Sequence, residues 1–80
     1  MEVIKFQAQG KAYTVHVDED LFGSRYVLRR WFSLTSNRGG SKLHANVDPD
    51  EVERLIGMVV ARRKAHGYRI IEDGRDNRIF

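Results

Sequence analysis

Apolar and polar positions alternate with a period of two through the first part of the chain. Ile4, Phe6 and Ala8 share one parity in the run Val3 to Ala8, and Tyr13, Val15 and Val17 share one in the run Ala12 to Val17. That period sends successive side chains to opposite faces of a strand. Gln9-Gly10-Lys11 between the runs is a turn signal, so the two predict an antiparallel hairpin. Asp18-Glu19-Asp20 is an acidic exit from it. Leu21-Phe22-Gly23-Ser24 is a loop whose two large apolar residues are expected to fold back over an edge of the core.

Arg25 to Phe32 predicts a third strand. Tyr26, Leu28, Arg30 and Phe32 fall on one face, and Val27, Arg29, Trp31 and Ser33 on the other. Neither set is wholly apolar, so part of at least one face is expected to meet solvent. Residues 34–40, with Ser36-Asn37 and Gly39-Gly40, predict a loop. Ser41 to Val47 predicts a further strand, with Leu43, Ala45 and Val47 on one face.

The period then changes to that of a helix. Val52, Leu55, Ile56, Val59 and Val60 make a stripe that Arg63 continues with its aliphatic stem. Asp48 is a suitable N-cap, Pro49 suits the first helical position, and Glu51 completes a capping-box pattern. Acids open the helix and Arg62, Arg63 and Lys64 close it, which complements its dipole. Gly67 supplies the left-handed stop. Gly57 sits mid-helix at a cost of about 1 kcal/mol against alanine, and its expected use is close approach of the sheet beneath. Tyr68 to Glu72 is a short strand, and residues 72–80 are either a hairpin strand or a frayed tail. These elements predict one α+β domain over residues 1–80: a mostly antiparallel sheet with one amphipathic helix packed across a face.

Composition narrows the class. Apolar residues make up 41% and charged residues 31%, which is ordinary for a globular domain. There is no cysteine, which removes disulfides and thiolate metal sites. The first residues lack a signal pattern, and no apolar run approaches the roughly 20 residues that cross a bilayer. The expectation is a cytoplasmic protein with no membrane partner.

Charge separates one stretch from the rest. Residues 25–46 hold Arg25, Arg29, Arg30, Arg38 and Lys42, no Asp or Glu, and the only tryptophan. Residues 1–24 sum to −2, and residues 47–80 balance seven basic against seven acidic side chains, so the net +3 originates in the centre. Arg29, Arg30, Arg38 and Lys42 can neutralise phosphates, and Trp31 among them can stack on a base. The plainer reading is a solvated basic face with Trp31 in the core. Asn37-Arg38-Gly39-Gly40 reads better as a hairpin turn than as a phosphate nest. His16, His44 and His66 lack metal-ligand spacing. No nucleophile or dinucleotide motif is present, so neither catalysis nor a cofactor is expected.

The order of these pieces resembles the WGR domain of poly(ADP-ribose) polymerases and of small bacterial proteins. It rests on Leu21-Phe22-Gly23, then Tyr26-Val27-Leu28-Arg29-Arg30-Trp31, then Arg38-Gly39-Gly40, then a capped helix ending Arg62-Arg63-Lys64-Ala65-His66-Gly67-Tyr68. It covers about residues 12–71, within the usual boundary tolerance. The family's Trp-Gly-Arg triplet reads Trp31-Phe32-Ser33 here. In the polymerases the tryptophan and arginine take part in contacts with a DNA end and with neighbouring domains. The resemblance implies that Trp31 keeps such a role, whereas Ser33 cannot take the arginine's. It implies a non-catalytic module with a nucleic-acid-binding role. Joined to the acid-free basic stretch, it predicts contacts mainly with backbone phosphates of nucleic acid, DNA ahead of RNA, through Arg29, Arg30, Trp31, Arg38 and Lys42. The alternative is a protein-interaction or self-association domain, suggested by the missing Gly-Arg pair and by Leu21, Phe22 and Phe32.

Overall fold

A computed structural model describes residues 2–75 of the chain. The hairpin period is realised as β1 (Glu2–Ala8) and β2 (Lys11–Glu19), joined at Gly10, whose φ of 74° only glycine adopts readily. β3 (Arg25–Ser33) and β4 (Gly39–His44) continue the antiparallel meander. Helix α1 (Pro49–Ala65) then carries the chain back across the sheet. β5 (Arg69–Asp73) pairs with β1, which gives the order β4-β3-β2-β1-β5. The protein is an α+β domain with one antiparallel sheet and one helix.

Strand parity decides what the helix covers. Ile4 pairs with Val15, Phe6 with Tyr13, and Val17 with both Glu2 and Val27. Ile4, Phe6, Tyr13, Val15, Val17 and Val27 therefore share one face, and each is at most 7% exposed. Val52, Leu55, Ile56 and Val59 of α1 meet them. Removing these apolar surfaces from water is the main force holding helix to sheet. Among the described residues, no element packs on the opposite face of the sheet.

Both helix ends follow their local chemistry. The Asp48 carboxylate accepts the Glu51 N–H at 2.8 Å. Only half of the capping box forms, because the Glu51 carboxylate accepts from Arg54 instead. At the other end Gly67 takes φ 84°, Gly67 N–H donates to Lys64 O, and Tyr68 N–H donates to Arg63 O. That is the paired Schellman closure, and it delivers Tyr68 into the core.

Four expectations need correction. Leu21 and Phe22 are 99% and 93% exposed and do not fold back. The Asp20 carboxylate accepts the N–H groups of both Phe22 and Ser24, and this tight turn holds the loop tip outward. A Cβ on Gly57 meets nothing within 4 Å, so that glycine serves no close approach. β4 starts earlier and ends earlier than Ser41–Val47: Gly39 and Gly40 already pair with Phe32 and Trp31, and Asn46 at φ 55° lies past the end. The last strand is shifted by one residue, because Tyr68 belongs to the helix stop. Gly74 N–H donates to Val3 O, so the chain still follows β1 there. The rest of the proposed 72–80 hairpin or tail lies outside the described residues. No helix among the described residues is long and apolar enough to cross a membrane.

Candidate nucleic-acid interface

The central basic stretch is split by strand alternation. Arg29 pairs with Val15 and Trp31 with Tyr13, so both lie on the helix-bearing face. Arg30 pairs with Thr14 and points to the open face. Lys42 sits directly across from Arg29, and Gly40 across from Trp31. The helix covers Val27 fully but leaves Trp31 39% exposed. Beyond it, the end of β3 and the adjoining β4 form a shelf with Arg29, Trp31 and Lys42 together. Arg38 stands exposed in the loop and borders a cleft of about 330 Å³ that also touches Lys11, Trp31 and Tyr68. Strand alternation sets Arg30 on the opposite face from Arg29 and Lys42, although at the β3–β4 turn it borders one cleft with Trp31 and Arg38.

Trp31 is held at two places. Its ring stacks on Tyr13 with centroids 6.1 Å apart and planes 18° from parallel. Tyr13 is itself fixed edge-on by Phe6 and Tyr68. Beneath the indole lies Gly40, where an added Cβ would come within 2.8 Å of the ring. Glycine at this position lets the ring lie flat on the neighbouring strand. An aromatic covering a cross-strand glycine is a known stabilising device.

Arg63 joins the site from α1. Its guanidinium lies 4.5 Å from the Tyr13 ring centroid and 5.3 Å from that of Tyr68, within cation–π range. Arg29 Nη1 donates to the Tyr13 hydroxyl at 3.4 Å, a long bond. The sequence placed Arg63 on the apolar stripe but not at a site. The available signal was its position one turn after Val59 and just before the glycine stop, which aims it at whatever aromatic closes the core.

The electrostatics of the shelf are unbalanced. Arg29 and Lys42 are like charges directly opposite each other, an arrangement that destabilises an antiparallel pair. Among the described residues the ion pairs are Lys5–Glu72, Arg25–Glu19, Arg54–Glu51 and Arg75–Asp73. None of them involves Arg29, Arg38, Lys42 or Arg63. Buried nitrogens without a hydrogen-bond partner fall on the same side: Nε of Arg29, Nε of Arg63 and Nε2 of His44. The His44 pKa is lowered, first by burial of the ring and then by the Arg29 and Lys42 charges, with Glu51 opposing.

The loop itself is a turn. Gly39 and Gly40 are engaged in the β4 ladder, and Arg38 N–H donates to Ser36 Oγ. Ser33, where the WGR pattern has arginine, accepts the N–H groups of Thr35 and Ser36 on its hydroxyl. Phe32 points to the open face and is 42% exposed. Compared with protein-family models, curated proteins and solved structures, the chain matches none.

Proposed function

We propose that this protein is a non-catalytic nucleic-acid-binding module, WGR-like in kind, that grips backbone phosphates on the shelf of Arg29, Trp31, Arg38 and Lys42, with Arg63 as a further contact. The observation that carries the reading is the Arg29–Lys42 pair. Two cations face each other across a strand pair with no carboxylate between them, beside a half-exposed indole. A fold retains such a local conflict where a ligand resolves it. A phosphate chain would neutralise both charges and release counterions, and the indole edge offers a surface for a base or sugar. DNA is favoured over RNA through the family resemblance. With no helix presenting base-reading side chains, sequence preference is weak.

The test is anisotropy titration of labelled duplex, nicked and single-stranded DNA and of RNA at several salt concentrations. Binding should weaken with salt by roughly 0.9 log units per log unit for each phosphate neutralised. Arg29→Ala and Lys42→Ala should each lower that slope by about one. Trp31→Ala should weaken binding at nearly constant slope, and Arg30→Ala should leave the slope unchanged. No binding at the lowest salt would end the proposal.

A further inference from the structure

The face of the sheet opposite the helix remains without a role. A row centred on Leu28 is apolar on its β4 side: Leu28 of β3 pairs with His16 of β2 on one side and with Leu43 of β4 on the other. Phe32 is 42% exposed and Leu43 is 60% exposed on this face. Leu34 extends the row, since its N–H donates to Gly10 O and so continues the ladder; it is 50% exposed.

The charges flanking this centre are placed symmetrically. One step along the strands towards the Leu21–Phe22 loop, Asp18 pairs with Tyr26. One step the other way, Thr14 pairs with Arg30. Arg30 has no ion pair among the described residues, and Asp18 uses one carboxylate oxygen on the Glu19 N–H. A twofold axis running across the strands through the His16–Leu28–Leu43 row exchanges these two steps. It sets Arg30 of each copy over Tyr26 of the other, one strand away from that copy's Asp18, a diagonal offset that the long arginine side chain spans. The same operation carries the exposed Leu21–Phe22 loop of one copy to the Phe32–Leu34 end of its partner. One arrangement thus covers the exposed apolar groups of this side and pairs its loose charges.

We infer that the open face is self-complementary and that the chain forms a twofold homodimer through it, two sheets face to face with the helices outside. In an isologous contact each residue pair occurs twice, which is the pattern that Asp18 and Arg30 fit. Packed sheets sit about 10 Å apart, a span that two facing side-chain layers fill. The molecule measures 37 × 28 × 17 Å, so its broad face outlines on the order of 1,000 Å², against about 800 Å² per partner in a stable interface. A polyanion is a poorer occupant, because on this face Glu72 is ion-paired with Lys5 and Asp18 offsets Arg30. The dimer leaves both Arg29–Trp31–Lys42 shelves facing outward.

The test is mass by light scattering and sedimentation from micromolar to hundreds of micromolar protein, without nucleic acid. The expected mass rises to twice the 9.3 kDa of one chain. Leu43→Glu, at an exposed position that the fold tolerates, should raise the dimer dissociation constant at least about tenfold. Asp18→Arg and Arg30→Asp should each weaken the dimer, and the double exchange should recover it. A monomer at every concentration overturns the inference, as does a dimer indifferent to Leu43→Glu or not rescued by the exchange. Nucleic-acid titration of the Leu43→Glu protein separates this from the proposed function, since a monomer that still binds leaves the shelf reading intact.

Discussion

Replacing Gly40 with alanine probes the seat of the tryptophan. The added Cβ would stand 2.8 Å from Cζ2, 2.9 Å from Cε2 and 3.0 Å from Nε1 of Trp31. Relief to a comfortable carbon–carbon contact requires the ring to lift by about 0.7 Å. The stack on Tyr13 loosens when it does, forfeiting part of about 0.5–1.5 kcal/mol, and overpacking of this kind typically costs about 1–3 kcal/mol. Against this, alanine in a strand is favoured over glycine by about 0.5–1 kcal/mol. The net expectation is a loss of about 1 kcal/mol, a fall in Tm of roughly 4–8 °C for a domain of this size. Thermal unfolding by circular dichroism measures the loss, and emission of the single tryptophan should shift to the red as the ring meets more water. The sign makes the test sharp. If Tm rises and the emission is unchanged, the indole does not rest on Gly40 and the geometry of the shelf is wrong.

Gly57→Ala is the opposite case: the space is open and the position helical, so stability should rise by about 1 kcal/mol in the same melt. Asp48→Ala removes the acceptor for the Glu51 N–H and should cost about 1 kcal/mol by denaturant titration. His44 has a folded pKa below the 6.5 of the unfolded chain. Below pH 6.5 the unfolded state therefore holds more protons, so its contribution to stability is complete above that pH and is lost as pH falls towards the folded value. Unfolding titrations at pH 7.5 and lower should show this slope in the native protein and not in His44→Gln. A polyanion on Arg29 and Lys42 would cancel two of the charges that depress this pKa, so nucleic-acid binding below pH 6.5 should take up protons, readable by calorimetry in buffers of different ionisation enthalpy.

Local patterns in the chain carried most of the architecture. A period of two marked the strands and sorted Ile4, Phe6, Tyr13, Val15 and Val17 to one face, while Asp48, the Val52–Val59 stripe and Gly67 marked the helix and both its ends. These are legible because backbone periodicity and capping act over a few residues. The same alternation already separated Arg29 and Trp31 from Arg30, but it could not say which side the helix would cover. That was decided by the tertiary structure: α1 crosses the sheet over Val27 and stops short of Trp31, which leaves the ring half in water. Only strand register sets Lys42 against Arg29 and Gly40 under the indole, and only the helix crossing brings Arg63 to Tyr13, far away in sequence. The Leu21–Phe22 loop shows the limit from the other direction, since hydrophobic character suggested burial while the Asp20 turn holds both side chains out. Burial and charge pairing are sums over distant segments, and no short window of sequence contains them.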